Sequence, residues 1–217
     1  MNIKFIGNFL RKLVTKREEV GEYSSGYWPN KIREKVLKII SKKGKILEVG
    51  CGEGLFLDVL SKVSPDLEIV GVDNWDEILN KTKERLKERK NVSLIKADGT
   101  NLPFEDNTFD TVVCVNVLLN ISDFETVSRI LKEMLRVCKL DGKIFFDIRN
   151  KRSPIFKIQY KFVKYYDPDI KVPLNTYNIE DFNEIVNIKN LHYIGFPKNK
   201  FAPIIIVEAM KRSVKNG

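Results

Sequence analysis

The sequence has very little histidine and cysteine, and this scarcity already narrows its chemistry. There is a single histidine, His192, and the three cysteines, Cys51, Cys114 and Cys138, form no Cys-x-x-Cys pair. A lone histidine and dispersed cysteines provide neither a multi-histidine cluster nor a zinc site, so we expect no bound metal. The odd cysteine count also argues against a disulfide framework and favours a reducing compartment, which predicts a cytoplasmic protein.

Long apolar runs are missing as well. No stretch approaches the ~20 consecutive apolar residues that a membrane-spanning helix needs, and we find no internal repeat and no low-complexity linker. The chain has 217 residues, of which 43% are hydrophobic and 31% charged, which is enough for one α/β domain with a full core. We therefore expect a single domain over residues 1–217.

Negative charge is in short supply. Lysine and arginine number 38 against 29 aspartates and glutamates, which gives a formal net charge of +9. Such an excess suits an anionic partner, whether nucleic acid, a membrane surface or an acidic metabolite. The lysines are spread along the whole chain without a long basic tail, so an ordinary solvated surface explains the charge equally well.

The stretch that organises the chain runs from Ile46 to Gly54 and reads ILEVGCGEG. Its pattern predicts a strand, a tight turn and the N-terminus of a helix. Gly50 and Gly52 let the backbone turn sharply and approach a ligand, because no Cβ stands in the way. The helix N-terminus behind the turn offers unpaired N–H groups. The spacing matches neither the dinucleotide fingerprint, since position 55 is Leu, nor a P-loop, since the Lys-Ser/Thr pair is missing.

The Gly-x-Gly-x-Gly pattern, with Glu48 two residues ahead of it, resembles motif I of the class I S-adenosylmethionine (SAM) methyltransferases. SAM carries no phosphate, and its amino acid end needs a close backbone and an acidic neighbour for the ammonium. The resemblance covers roughly residues 44–148 and implies SAM as cofactor. It implies contacts to SAM from the turn, by Glu48, Gly50, Cys51 and Gly52. The alternative is a tight strand-to-helix turn that binds nothing.

Strand and helix patterns alternate along the same region. The predicted strands are 45–49, 67–72, 92–96, 109–115 and 142–148, and the predicted helices are 31–42, 54–63, 76–89 and 123–137. This order predicts a parallel sheet with helices on both faces. Ligands of such sheets bind at the carboxyl ends of the strands.

The two ends of the chain differ from this core. Residues 2–17 predict a basic amphipathic helix, which we expect to pack on its own domain rather than on a membrane surface. In the last third we predict a helix over 153–166, a helix over 179–188 capped by Asn178, and two strands at 191–196 and 203–210. The short joint makes these strands antiparallel.

The fold class that follows is α/β, with a doubly wound, mostly parallel seven-stranded sheet, helices on both faces and an antiparallel last strand pair. It resembles the SAM methyltransferase sheet. We expect an N-terminal helical cap over 1–43, a cofactor-binding core over 44–148, and substrate-side helices with the closing strands over 149–217.

Acidic residues end two of the predicted strands. Asp73 ends the second strand and is placed to accept bonds from the ribose hydroxyls, although it also suits a helix cap. Asn74 lies beside it, where it or its neighbour Trp75 would cover the adenine. Asp98 and Gly99 end the third strand, where the resemblance implies an acid that accepts the adenine exocyclic amine. A simple turn aspartate is the alternative for Asp98.

The fourth strand ends near Asn116, which we also expect to contact the cofactor. The stretch that follows it lacks the acid–histidine pair of many small-molecule enzymes, the N/D-P-P-Y/F signature of amine methylation and a Pro-Cys nucleophile. The sequence therefore identifies no catalytic residue, with Asn120 and Arg149 as fallback candidates. Methyl transfer is an in-line displacement in which positioning supplies much of the rate, so a missing base does not exclude activity.

For the acceptor we expect a lid over 149–166, in which Arg149 and Arg152 pair with a carboxylate or phosphate, with Tyr27 as a further contact. A helix that only covers the sheet edge, or one that holds a nucleic acid strand, are the alternatives. The function predicted is transfer of a methyl group from SAM to a small, anionic acceptor. An RNA methyltransferase and a non-catalytic SAM-binding or membrane-associated adaptor remain open, and the sequence predicts no oligomeric state.

Overall fold

The computed structural model describes residues 27–156 and 175–211, and the strands in these ranges form one seven-stranded sheet. The strands are β1 (Lys45–Val49), β2 (Glu68–Asp73), β3 (Val92–Lys96), β4 (Phe109–Cys114), β5 (Cys138–Arg149), β6 (Asn187–Ile194) and β7 (Ile204–Met210). Their order in the sheet is β3-β2-β1-β4-β5-β7-β6. Strands β1 to β5 pair in parallel, whereas β7 is antiparallel to both β5 and β6. The predicted fold class is confirmed.

Helices cover both faces of the sheet. They are α1 (Tyr27–Ile39), α2 (Leu55–Val63), α3 (Asp76–Leu86) and α4 (Phe124–Val137). Alternate residues of each central strand point into two separate cores: Val112 packs in the core that α4 closes, and Val113 in the core that α1 and α2 close. Because both faces are buried, β4 carries apolar residues on both of them. No helix within the described ranges is long and apolar enough to cross a membrane.

Several boundaries differ from the sequence prediction, among them the starts of β5 at Cys138 and of β6 at Asn187. The first helix begins at Tyr27, before Pro29, which lies in its first turn where a missing N–H costs nothing. The helix predicted over 179–188 is wrong: a single 3₁₀ turn occupies Ile179–Phe182, and β6 already begins at Asn187. Pairing with β7 satisfies the backbone of β6, and this tertiary contact overrides local helix preference. The predicted helix over 2–17 and all but the start of the one over 153–166 lie outside the described residues.

The parallel strands bring their carboxyl ends to one edge of the sheet. Val49 of β1 lies beside Val72 of β2, and Cys114 of β4 beside Phe146 of β5. The turn after β1 and the segments after β2, β4 and β5 therefore meet at this edge.

Candidate cofactor and acceptor site

A cavity of about 740 Å³ opens at the carboxyl edge of the sheet. Its described lining includes all nine positions predicted to contact a cofactor, namely Glu48, Gly50, Cys51, Gly52, Asp73, Asn74, Asp98, Gly99 and Asn116. The two fallback catalytic candidates, Asn120 and Arg149, also line it. The sequence thus predicted which residues meet, although their roles need the geometry below.

The glycines of the turn after β1 have different tasks. Gly50 and Gly52 have φ angles of 74° and 50°, in the left-handed region that favours glycine. A Cβ on Gly50 would lie 2.4 Å from the Val117 Cγ2 atom, so this glycine permits close packing of the segment after β4. Gly52 is only partly buried and lines the cavity. Its N–H donates to Asp73 Oδ2 and its carbonyl accepts the Thr82 hydroxyl, so Gly52 presents a fixed backbone without a side chain to the cavity.

Glu48 is a buried acid at the end of β1. Its Oε2 atom has no hydrogen-bond partner within the described part of the chain. Burial raises the pKa of the Glu48 carboxyl well above its ordinary value, an effect that the Arg33 guanidinium on α1 opposes and Asp73 reinforces. A buried acceptor without a donor is costly, so this oxygen suits a ligand that brings a donor, above all a cation.

Asp73 ties the glycine turn to the end of β2. Its Oδ2 accepts the Gly52 N–H at 2.9 Å, and its Oδ1 accepts the Trp75 N–H at 3.1 Å at the start of α3. Asp73 therefore accepts a bond at the start of α3, close to the helix-cap role that the alternative interpretation of the sequence expected, but this is only part of its role. A carboxylate accepts about four hydrogen bonds, so two backbone donors leave it capacity for ligand hydroxyls.

Asp98 closes the turn after β3. Its Oδ1 accepts both the N–H and the hydroxyl of Thr100, each at 2.8 Å, and these bonds lower the pKa of the Asp98 carboxyl. Gly99 packs closely below it, because a Cβ there would lie 3.1 Å from Val49 Cγ1. Asp98 therefore acts as a turn aspartate, and it also lines the cavity.

Beyond β4 the backbone is held by a buried ionic network. Asn116 has φ of 60°, donates its N–H to Asp147 Oδ1, and accepts a bond from Arg149 Nη2 at 3.2 Å on its side-chain oxygen. Asp147 and Arg149, only 1% and 5% exposed, form an ion pair. Such a network fixes a strained backbone position and so holds Asn116 at the cavity wall.

This network changes the role expected of the two arginines. Arg149 already uses its guanidinium on Asp147, and Arg152 pairs with Glu180 at 3.1 Å, away from the described cavity lining. Tyr27 also lies outside that lining and packs edge-on against Trp28, with ring centroids 5.1 Å apart. The structure therefore brings neither Arg152 nor Tyr27 to the cavity, and it uses Arg149 as an internal partner.

The segment after β4 is fixed from its other side by residues that sequence reasoning missed. The Tyr177 hydroxyl donates to the Ile121 carbonyl at 3.1 Å and lies 3.3 Å from that of Leu118. Asn175 donates its N–H to the Leu119 carbonyl at 3.0 Å. Burial raises the pKa of the Tyr177 hydroxyl, so it remains a donor at neutral pH. We call residues 117–121 the acceptor wall, whose cavity-lining side chains are Val117, Leu119, Asn120 and Ile121.

Two further residues of the site were missed, and only one of them could have been recognised from the sequence. Asp147 is an acid inside the apolar run of β5, which is a sign of a buried partner. Arg33 is a buried charge among the apolar residues of α1 and gave no such sign. The Cys51 thiol also lines the cavity, but burial raises its pKa well above the ordinary value, so it is a poor nucleophile.

Comparison with known proteins agrees with this geometry. Residues 47–146 match the family model described as a methyltransferase domain. This match identifies those residues as a methyltransferase domain. The same domain architecture recurs in the PH0226 protein from Pyrococcus horikoshii OT3, with a TM-score of 0.67 and 21% identity over 84% of this chain and 89% of that one. A SAM-dependent methyltransferase from Aquifex aeolicus has the same fold, with a TM-score of 0.62 and 22% sequence identity. The match covers 83% of this chain and 89% of that one.

A curated relative of the methyltransferase domain is more similar in sequence. A demethylmenaquinone methyltransferase from Staphylococcus aureus is 38% identical over 132 residues, which are 59% of this chain and 54% of the relative. The chain thus spans about half the length of the curated relatives it matches.

SAM is the cofactor of this methyltransferase domain, and two observations show that the residues present fit it. The buried Oε2 atom of Glu48, which has no described donor, suits the ammonium of the amino acid end, and Gly52 lets a ligand approach the backbone that lines the cavity. Asp73 would take the ribose hydroxyls, and Asp98 with Gly99 the adenine. SAM supplies an activated methyl group on its sulfonium.

Proposed function

We propose that this chain transfers a methyl group from SAM to a small-molecule acceptor held against the acceptor wall. The observation that carries the proposal is the Oε2 atom of Glu48, which is buried without a donor among the described residues, at a cavity that all nine predicted cofactor positions line. An enzyme of this kind works mainly by holding the acceptor in line with the methyl group, which supplies much of the rate.

The described acceptor wall offers amides and apolar side chains rather than a base. Asn120 donates its side-chain amide to the Asn116 carbonyl at 3.3 Å, so both residues order the wall. Val117, Leu119 and Ile121 give the same wall an apolar surface. An acceptor that fits is flat or apolar and ionises readily without an enzymatic base.

The name of the Staphylococcus aureus relative, demethylmenaquinone methyltransferase, agrees with an apolar acceptor of the quinone type. We carry over to this chain only that chemical class. The anionic acceptor remains a prediction from net charge, with less support, because Arg149 and Arg152 both lie in ion pairs.

Transfer of radioactive methyl groups tests the proposal. The purified protein is incubated with methyl-labelled SAM and a cell extract, which is then separated into RNA, protein, lipid and small molecules. We expect the label in the small-molecule or lipid fraction. Label in RNA would support the RNA methyltransferase alternative, and no transfer from any extract would support a non-catalytic protein.

Gly52→Val is the matched control for this experiment. The valine side chain would enter the cavity that Gly52 lines, so we expect a variant that transfers no label. Circular dichroism verifies the fold of the variant, and transfer at the wild-type rate would show that Gly52 does not face the ligand.

A further inference from the structure

An exposed aromatic and basic loop joins β6 to β7 and has no role in the cofactor cavity. Residues 195–203, with the sequence GFPKNKFAP, are called here the hairpin loop. Phe196 is 81% exposed and Phe201 is 42% exposed. Exposing two phenylalanine rings to water on one short loop costs free energy and does not stabilise the fold. Such exposed apolar groups are typical of an interaction surface.

The hairpin loop lies at the same edge of the sheet as the cavity. Ile204, which follows it, pairs with Arg149 at the end of β5. A Cβ on Gly195 would lie 3.0 Å from the Trp28 Cη2 atom, so the start of α1 abuts the loop and brings the exposed ring of Tyr27 nearby. The aromatic surface therefore lies at the carboxyl edge of the sheet, where the cavity also opens.

The loop is held rigidly. Asn150, which is 2% exposed, donates its side-chain amide to the carbonyls of Lys200 and Ala202 at 2.9 and 2.8 Å. Its backbone N–H donates to the Pro203 carbonyl at 2.9 Å. The two phenylalanine rings are thus presented by an ordered backbone, which lowers the entropic cost of binding through them.

The charge of the loop selects the partner. Lys198 and Lys200 are exposed between the two phenylalanines, and residues 195–203 contain no acid. The Lys200 ammonium lies 5.4 Å from the centroid of the Phe201 ring, over its face. Apolar rings beside cations suit the interface of an anionic bilayer, whereas a base stacking on Phe201 would compete with Lys200 for that face.

We propose that the hairpin loop docks this protein on the surface of an anionic lipid bilayer. Phe196 and Phe201 insert at the level of the acyl-chain boundary, and Lys198 and Lys200 contact the anionic headgroups. This orientation turns the cavity edge toward the membrane, where a lipophilic acceptor is dissolved. The last step rests on the proposed function, whereas the docking itself does not.

Vesicle co-sedimentation of the full chain tests the docking. The probes are vesicles of phosphatidylcholine alone and of phosphatidylcholine with phosphatidylglycerol. We expect the wild type to sediment with the anionic vesicles, and Phe196→Ser with Phe201→Ser to weaken this partition by about tenfold or more. The matched control is Leu140→Ser, which removes an equally exposed apolar side chain (75%) at the opposite edge of the sheet and should bind like wild type.

The charge contribution has its own pair of variants. Lys198→Gln with Lys200→Gln should reduce the response to phosphatidylglycerol content, because each lysine near the surface contributes to attraction. Lys83→Gln with Lys87→Gln, two exposed lysines at the end of α3, should not. Calorimetry of each variant with SAM separates the two proposals, since docking variants keep wild-type cofactor binding.

Three results would overturn the docking proposal. One is a wild type that ignores anionic vesicles. Another is binding that survives all the loop substitutions, which would place the contact elsewhere, for instance in the basic segment 2–17. The third is loop-dependent retention of a single-stranded RNA oligonucleotide with no vesicle binding, which would make this a nucleic acid surface. A wild type that binds vesicles but no SAM would leave docking intact and contradict the proposed function.

Discussion

At the scale of single residues, we expect Glu48 to make the stability of the protein and its affinity for SAM depend on pH. Its carboxyl is fully buried and carries a pKa well above the ordinary 4.5, chiefly because burial penalises the charge. Below that ordinary value, Glu48 is protonated in the folded and in the unfolded protein. As the pH rises toward the raised pKa, the unfolded chain ionises while the folded one stays protonated. The stability of the cofactor-free protein therefore falls over this window.

We predict that Glu48→Gln removes this pH dependence. A cation bound at Glu48 favours the ionised carboxylate, so the affinity of the wild type for SAM should rise with pH until the raised pKa of the cofactor-free protein is passed. The Gln variant should bind more weakly and show no such rise. Calorimetric titrations across the pH range measure both effects, and parallel profiles for the two proteins would mean that Glu48 does not meet the ammonium.

The residues predicted to contact a cofactor all line the cavity, but the sequence did not predict their individual tasks. Gly50 and Gly52 are equivalent in a Gly-x-Gly pattern, yet only the structure shows that Gly50 makes room for Val117, whereas Gly52 is bonded through its N–H to Asp73. Arg149 was correctly expected at the cavity, but its partner Asp147 lies two residues before it on the same strand. Pairings that depend on how segments meet in space leave no periodic signal in the chain.

At the scale of elements, the acceptor wall is positioned from a segment distant in sequence. Tyr177 and Asn175 hold residues 118–121 by their carbonyl oxygens, and the Tyr177 N–H donates to the Arg149 carbonyl at 2.9 Å. One short segment thus ties the wall to the end of β5. The sequence prediction missed it because neither residue belongs to a motif.

We predict that Tyr177→Phe impairs acceptor turnover without weakening cofactor binding. The ring still packs on Phe124 and Phe182, but buried carbonyls lose a donor, which costs roughly 0.5–1.5 kcal/mol of stability. A looser acceptor wall should raise KM or lower kcat for the acceptor and leave the Kd for SAM unchanged.

Tyr193→Phe is the matched control, since it removes the same hydroxyl from a partly buried tyrosine on β6. Steady-state kinetics and calorimetry are measured on both variants. Equal effects of the two changes, or a loss of SAM affinity in Tyr177→Phe, would contradict a positioning role.

At the scale of the whole molecule, the fold was predictable because strands and helices alternate over residues 45–149, with one exception between β3 and β4. Strands with apolar residues on both faces, such as β4, require cover on both sides, which implies a layered sheet. The last third was harder: the failed helix over 179–188 shows that β6 exists only through its pairing with β7. The hairpin loop between these strands could not be recognised either, because exposure is a property of the assembled surface.

The central claim is that the cavity at the carboxyl edge binds SAM through the residues that line it. Isothermal titration calorimetry of the folded wild type with SAM tests this most directly, with Asp73→Ala as the paired variant. We predict one site per chain, and an affinity loss of roughly 1–3 kcal/mol in the variant, because buried polar groups lose their partner. A folded wild type that takes up no SAM, or an Asp73→Ala variant that binds it as tightly as wild type, would contradict the account.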